Sequence, residues 1–179
     1  FGIKKDRLVP AYAFASESVA LKVMGFKDLR DLEPGSAIFI DHHKQVHEKK
    51  ISTKPFRPCI FEYIYFSRPD SDINGINVSL ARTELGRNLA RKIKTLNLDI
   101  DVVVPIPDSA RTAAIEIAGI LKIKYLEGLV KNRYIGRTFI MPGDYIRQKS
   151  VRQKLNPIDK VFIDKKVLLV DDSIVRGNT

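Results

Sequence analysis

The chain has 179 residues, 44% of them hydrophobic and 29% charged, with a formal net charge of +10 and a single cysteine. That is enough apolar material for one domain plus part of another, and one cysteine excludes an internal disulfide framework. No apolar run approaches the roughly 20 residues that a bilayer-spanning helix needs and the start carries no signal-peptide pattern, so the composition reads as a cytoplasmic α/β protein without a membrane partner.

Residues 1–50 mix short strand-like runs at 12–15 and 37–40 with an apolar helical pattern at 18–23. The three histidines, His42, His43 and His47, fall in one stretch. With no cysteine or second ligand group nearby, an exposed hairpin end is a better reading than a metal cluster. Residues 51–58, with Lys, Ser, Thr and two prolines, look like a connection between domains.

Residues 61–66 alternate aromatic and aliphatic side chains and predict a strand, which Arg68-Pro69-Asp70-Ser71 breaks. From 79 to 96 the apolar positions Ala81, Leu85, Leu89, Ile93 and Leu96 recur at helical spacing and predict a scaffold helix. Val102-Val103-Val104 then reads as a buried strand opening into Pro105-Ile106-Pro107-Asp108-Ser109-Ala110-Arg111-Thr112, with a helix over 113–121. Strand, polar loop and helix make the βα unit of a parallel sheet, whose loops carry ligands at their tips. Hydroxyls at Ser109 and Thr112, the Arg111 guanidinium and a helix start suit an anionic diphosphate. A plain turn with an N-cap would look the same at this point.

Between 131 and 160 the basic residues Lys131, Arg133, Arg137, Arg147, Lys149, Arg152, Lys154 and Lys160 face two acids, Asp144 and Asp159. The stretch also holds Gly136, Pro142, Gly143 and Pro157 and no sustained helical period, so it reads as a long basic loop rather than a recognition helix. Such positive charge serves either nucleic acid or a small polyanion. The chain then runs Val167-Leu168-Leu169-Val170-Asp171-Asp172-Ser173-Ile174-Val175-Arg176-Gly177-Asn178-Thr179. Four aliphatic residues predict a strand covered on both faces, and two carboxylates leave its carboxyl end, where open α/β sheets bind ligands. Asp171 and Asp172 are placed for ribose hydroxyls or a divalent cation. Residues 173–179 suit an anion cradle, with hydroxyls at Ser173 and Thr179 and close backbone approach at Gly177.

The last thirteen residues resemble the phosphoribosyl-diphosphate (PRPP) signature of type I phosphoribosyltransferases, in the form seen in the glutamine PRPP amidotransferase family, with Asn178 where that family usually has Thr. The blocks at 58–71, 104–109, 128–140 and 154–156 are similar to that family in the same order, and 15–21 with 33–35 are similar to the end of its glutaminase domain. Ordered blocks are more specific than any single motif.

The resemblance implies an α/β chain with a type I phosphoribosyltransferase fold, a mainly parallel sheet flanked by helices, preceded by the tail of an N-terminal-nucleophile glutaminase domain. It implies glutaminase residues at 1–50, a connection at 51–58 and a phosphoribosyltransferase domain at 59–179 cut within its phosphate loop, in an internal segment inactive on its own. The implied activity converts PRPP with glutamine-derived or free ammonia to 5-phosphoribosylamine, glutamate and diphosphate, the first committed step of purine synthesis. PRPP would be bound by Asp108, Ser109, Arg111, Thr112, Asp171, Asp172, Ser173, Ile174, Val175, Arg176, Gly177, Asn178 and Thr179. Mg²⁺ would be held at Ser109, Asp171 and Asp172.

Lys131, Tyr134, Arg137 and Lys154 are the implied catalytic residues of a lid closing over PRPP, with Tyr134 and Ile140 lining an ammonia path. Purine nucleotides are implied as feedback inhibitors and a dimer or tetramer as the assembly. Some members hold an iron–sulfur cluster through a cysteine at the place of Cys59 and others further along, while other members hold none; a small buried apolar role for Cys59 is the favoured reading. Two rival readings are a PRPP-sensing DNA-binding regulator, which should lack the 131–140 block, and a nucleobase phosphoribosyltransferase, which leaves 1–50 and 59–71 unexplained.

Overall fold

The structure, a computed structural model, describes residues 1–5, 9–134 and 154–174. It divides into two compact units, Phe1–Ala81 and Arg82–Thr179.

In the first unit, β1 (Gly2–Lys4) pairs antiparallel with β2 (Ala11–Ala13). The buried Phe1 ring lies 5.0 Å from that of Phe14 and 6.1 Å from that of Tyr12. Helix α1 (Ser18–Val23) covers the expected residues and buries Val19 and Leu21. Strands β3 (Ser36–Ile40) and β4 (Val46–Lys50) form the expected hairpin, with His42 and His43 at its exposed end and His47 on β4. Asp41 closes the turn by accepting from the Gln45 N–H at 2.9 Å, and it pairs with His47 Nε2 at 2.8 Å. Residues 51–59 have no regular structure.

The strand expected at 61–66 is instead a π-helical turn, Glu62–Phe66, closed by a hydrogen bond from the Ser67 N–H to the Glu62 carbonyl at 3.0 Å. A short aromatic-aliphatic run is ambiguous between the two periods. Here helical spacing stacks Phe61 on Tyr65, with ring centroids 5.2 Å apart, and buries Tyr63, whose hydroxyl accepts from Asn74 Nδ2 at 2.9 Å. Strands β5 (Asp72–Ile73) and β6 (Ile76–Asn77) are joined by Asn74-Gly75, both at positive φ (51° and 73°), as a two-residue type I′ turn requires. The Glu17 carboxylate accepts from the Arg68 N–H at 2.8 Å and the Ser71 hydroxyl at 2.7 Å, fixing 68–71 beside the start of α1.

Helix α2 (Val78–Lys94) matches the expected helix, but its buried stripe does not. Leu85, Leu89 and Leu96 are exposed, and of the predicted stripe only Ile93 is buried; the inward face carries Arg82, Gly86, Ala90 and Ile93. The reason is close packing on helix α3 (Arg111–Leu121): a Cβ added at Gly86 would come within 2.7 Å of Ala113 Cα. Backbone approach of this kind selects small residues, which a hydrophobic-period test does not see.

The second unit is organised by a three-stranded parallel sheet of β7 (Val102–Pro105), β8 (Lys124–Tyr125) and β11 (Val167–Val170), in the order β11-β7-β8. Val103, Val170, Ala114, Ile117 and Ala118 share a core with Ala90 and Ile93. On the other face, Val104 lies against Gly128, so β7 is covered on both sides as its apolar run requires. Strands β9 (Leu129–Lys131) and β10 (Leu155–Pro157) form an antiparallel ribbon, followed by the short helix α4 (Asp159–Phe162). The ends of the expected long loop are thus paired strand and helix rather than loop, while 135–153 lie outside the described residues.

Candidate active site

Parallel pairing sets the site. Val170 of β11 stands opposite Pro105 of β7, and the Ile106 N–H donates to the Val170 carbonyl at 2.8 Å. Both strands therefore leave the sheet at one level, and their loops meet beyond its carboxyl edge.

The Asp172 carboxylate joins the two loops. Its Oδ2 accepts from the Ser109 hydroxyl of the β7 loop, and its Oδ1 accepts from the Ser173 hydroxyl at 2.6 Å. Asp171 accepts the Asp172 N–H at 2.8 Å. Desolvation and the neighbouring Asp172 charge push the Asp171 carboxyl above its usual range, against the lowering effect of that N–H. Arg82 is buried on α2; burial pushes its guanidinium pKa down, and the Asp172 charge pulls it back up.

A second group stands on the β7 and β8 loops. Asp108 follows Pro107 across a cis peptide bond. Its Oδ1 accepts from Arg111 Nη1 at 2.7 Å and its Oδ2 from Lys131 Nζ, on β9, at 2.6 Å. Desolvation opposes ionisation of Asp108, but the two cations outweigh it and hold its carboxyl below the usual range. Arg111 Nε donates to both oxygens of Glu127, at 2.9 and 3.2 Å. The Tyr125 hydroxyl donates to Glu127 at 2.5 Å; desolvation and that carboxylate push the phenol up to about 12. Glu127 is held below its usual range because Arg111 and Tyr125 outweigh desolvation.

Of the sequence-predicted residues, Asp108, Ser109, Arg111, Lys131, Asp171, Asp172 and Ser173 come together at this edge. Thr112 is half-buried in the first turn of α3. Lys154 accepts at its carbonyl from the Asn132 N–H at 2.7 Å, next to Leu155, which stands opposite Lys131 in the ribbon. Tyr134 is 99% exposed and Ile174 91% exposed. Arg137, Ile140, Val175, Arg176, Gly177, Asn178 and Thr179 lie outside the described residues. Arg82, Tyr125 and Glu127 were not singled out by sequence. An acid and a glycine directly after a short strand, Tyr125-Leu126-Glu127-Gly128, is the signal that pointed to Asp171 and Asp172 in weaker form.

Among the described residues no three His, Cys, Asp or Glu side chains gather as a metal cage. Two adjacent carboxylates flanked by the Ser109 and Ser173 hydroxyls are nonetheless an all-oxygen donor set, which suits a hard divalent cation that takes its other ligands from substrate and water. Cys59 is exposed, which corrects the reading of it as a small buried apolar residue: it lies in 51–59, which has no regular structure. Cys59 supplies one of the roughly four thiolates of an iron–sulfur cluster, so a cluster would take its other ligands from outside these 179 residues.

No protein-family model matches the chain. It is 56% identical over 182 residues to an amidophosphoribosyltransferase of Pseudomonas aeruginosa, an alignment covering 100% of this chain and 36% of that relative. It is 54% identical over 171 residues to the amidophosphoribosyltransferase of Escherichia coli, covering 94% and 34%. Its fold is similar to that of glutamine PRPP amidotransferase from B. subtilis complexed with ADP and GMP, with a TM-score of 0.73 and 46% identity over 90% of this chain and 35% of that one. The chain thus spans about a third of the length of the curated relatives it matches.

Proposed function

We propose that this chain, which belongs to the amidophosphoribosyltransferase family by sequence and by its type I phosphoribosyltransferase fold, supplies the PRPP site of a polypeptide that makes 5-phosphoribosylamine. In that reaction ammonia, free or released from glutamine with formation of glutamate, attacks C1 of the ribose as diphosphate leaves from the opposite face. The observation that carries the reading is the bridge of Ser109 and Ser173 to one Asp172 carboxylate at the sheet edge.

The residues divide the substrate among them. Asp171 and Asp172 accept the ribose hydroxyls, which fixes the face open to ammonia. Arg111 and Lys131, already close to each other through Asp108, take up the negative charge of the departing diphosphate. Ser173 begins the 5-phosphate segment that the family resemblance assigns to 173–179. Mg²⁺ fits at Asp171, Asp172 and Ser109, where when bound it supplies charge neutralisation for the diphosphate. Most of the rate then comes from positioning and electrostatics, since no side chain here forms a bond to the sugar.

The wider reading is that of the family. Residues 1–50 are the end of a glutaminase domain, 51–58 the connection and 59–179 the phosphoribosyltransferase domain. Purine nucleotides carry the same ribose phosphate and act as feedback inhibitors at this edge, in line with the ADP and GMP named for the B. subtilis protein. The protein works in the cytoplasm as a dimer or tetramer; no described helix is long and apolar enough to cross a membrane.

The test is Asp171→Asn and Asp172→Asn in the full-length polypeptide. Each keeps the side-chain size and removes the charge. Ammonia-dependent synthesis is expected to fall on the order of a hundredfold, while glutamine hydrolysis measured without PRPP persists. Equal loss of both activities in a folded protein would remove the assignment.

A further inference from the structure

Glu127 has no part in the chemistry above, yet it grips the side chain to which the diphosphate is assigned. Its two oxygens accept from Arg111 Nε at 2.9 and 3.2 Å, while Asp108 accepts from Nη1 on another edge of the same guanidinium at 2.7 Å. Two carboxylates thus fix the plane of the guanidinium. They grip it through Nε and Nη1, and among the described residues no side chain accepts from Nη2, whose N–H groups are left for a ligand.

The grip itself is rigid. Glu127 follows β8 between two anchored neighbours: the Leu126 N–H donates to the Val103 carbonyl at 3.1 Å, and the Gly128 carbonyl accepts the Ile158 N–H at 2.8 Å. Gly128 is wedged so closely that an added Cβ would lie 2.8 Å from Phe162 Cζ and 2.9 Å from Val104 Cγ1. The Tyr125 hydroxyl holds Glu127 Oε1 at 2.5 Å. A carboxylate pinned through its backbone and its own acceptor oxygen is a reference point for its partner.

Stability does not account for the arrangement. The Arg111 and Glu127 side chains are 41% and 44% exposed, and ion pairs this open to water add little to stability. What the contact changes is the freedom of a long side chain, which otherwise would have to be ordered at each binding event.

We propose that Glu127 is a positioning residue that presents the Nη2 group of Arg111 to the leaving diphosphate, with Tyr125 holding Glu127 in place. The proposal rests on the assignment of Arg111 to the diphosphate, and a double-mutant cycle separates the two claims. In the full-length polypeptide, ammonia-dependent synthesis is measured against PRPP concentration for the parent, Arg111→Ala, Glu127→Ala and the double variant. Glu127→Ala is expected to raise KM for PRPP about tenfold at an unchanged Tm, and to add less than about twofold once Arg111 is gone, because nothing remains to be positioned. Equal KM effects in both backgrounds would overturn the positioning role alone. A lowered KM in Glu127→Ala would also overturn it, marking Glu127 as an internal competitor of the diphosphate. No effect of Arg111→Ala would overturn the diphosphate assignment, and the positioning role with it.

Discussion

Asp41 shows how much one carboxylate does in a short hairpin. It caps the turn through the Gln45 N–H and holds His47 across it, and the His47 hydrogen bond is the largest cause of its lowered pKa, followed by that N–H. A carboxylate with a depressed folded value adds stability above its unfolded value and loses it as the pH falls through the folded one. The Asp41 carboxyl should therefore titrate below its ordinary 3.8 and return toward that value in His47→Ala. A carbon-detected NMR titration checks this; an unmoved midpoint would show that the imidazole is not the cause. At this scale sequence and structure agree where chemistry repeats a pattern. Asp108, Ser109, Asp171 and Asp172 announce themselves as polar residues directly after apolar strands. Arg82 does not, because a buried arginine in a helix reads as one more exposed cation until Asp172 is seen to act on it. Glu127 stays silent for the same reason: its partner, Arg111, lies sixteen residues away.

Elements are held by size as much as by hydrophobicity. Gly86 and Gly119 are both helical glycines, and propensity alone predicts that Ala would improve either by up to about 1 kcal/mol. Their surroundings differ. A Cβ at Gly86 meets Ala113 Cα at 2.7 Å and the Ala113 carbonyl oxygen at 2.8 Å, whereas nothing lies within 4 Å of one at Gly119. Gly86→Ala should then destabilise by about 1–3 kcal/mol through overpacking of α2 on α3, while Gly119→Ala should stabilise. Urea unfolding of the two variants decides it, and two changes of the same sign would refute the packing account of α2. The same contact explains why the stripe at 81, 85, 89, 93 and 96 misled. Periodicity located the helix correctly, but small residues chosen for close approach set its inward face. The π-helical turn at 62–66 was hidden differently, since five residues are too few for either period to declare itself.

The whole chain carries 31 basic against 21 acidic residues, yet many of the described cations are already engaged. Lys22 pairs with Asp72, Arg30 with Glu48, Lys50 with Glu33, Arg68 with Asp70 and Arg87 with Glu116. Among the described residues, a surface so divided does not offer the unbroken basic face that a duplex requires. Duplex DNA should show no binding tighter than nonspecific association at about 0.15 M salt, whereas PRPP should bind. Filter binding with a labelled duplex tests this, and displacement of the duplex by PRPP would instead favour a regulator. The α/β class, the strands at 102–104 and 167–170 and the carboxyl edge where their loops meet were legible in sequence, because each arises from a local run of residues; the two-residue β8 and the order β11-β7-β8 were not. The ribbon of β9 and β10 was not, because its strands are joined by more than twenty residues and only pairing reveals them.

The in-register pairing of β11 with β7 makes the sheet a gauge for the two loops above it. Substitutions in either loop leave Val170 opposite Pro105, but one residue gained or lost within 167–170 would shift the Asp171-Asp172 loop by about 3.3 Å and turn its side chains to the opposite face. Asp172 would then be carried out of reach of Ser109 while every residue of the motif was still present. Lineages and designers alike should find both loops open to exchange as cassettes, and the four-residue length of the strand between them closed to any insertion or deletion.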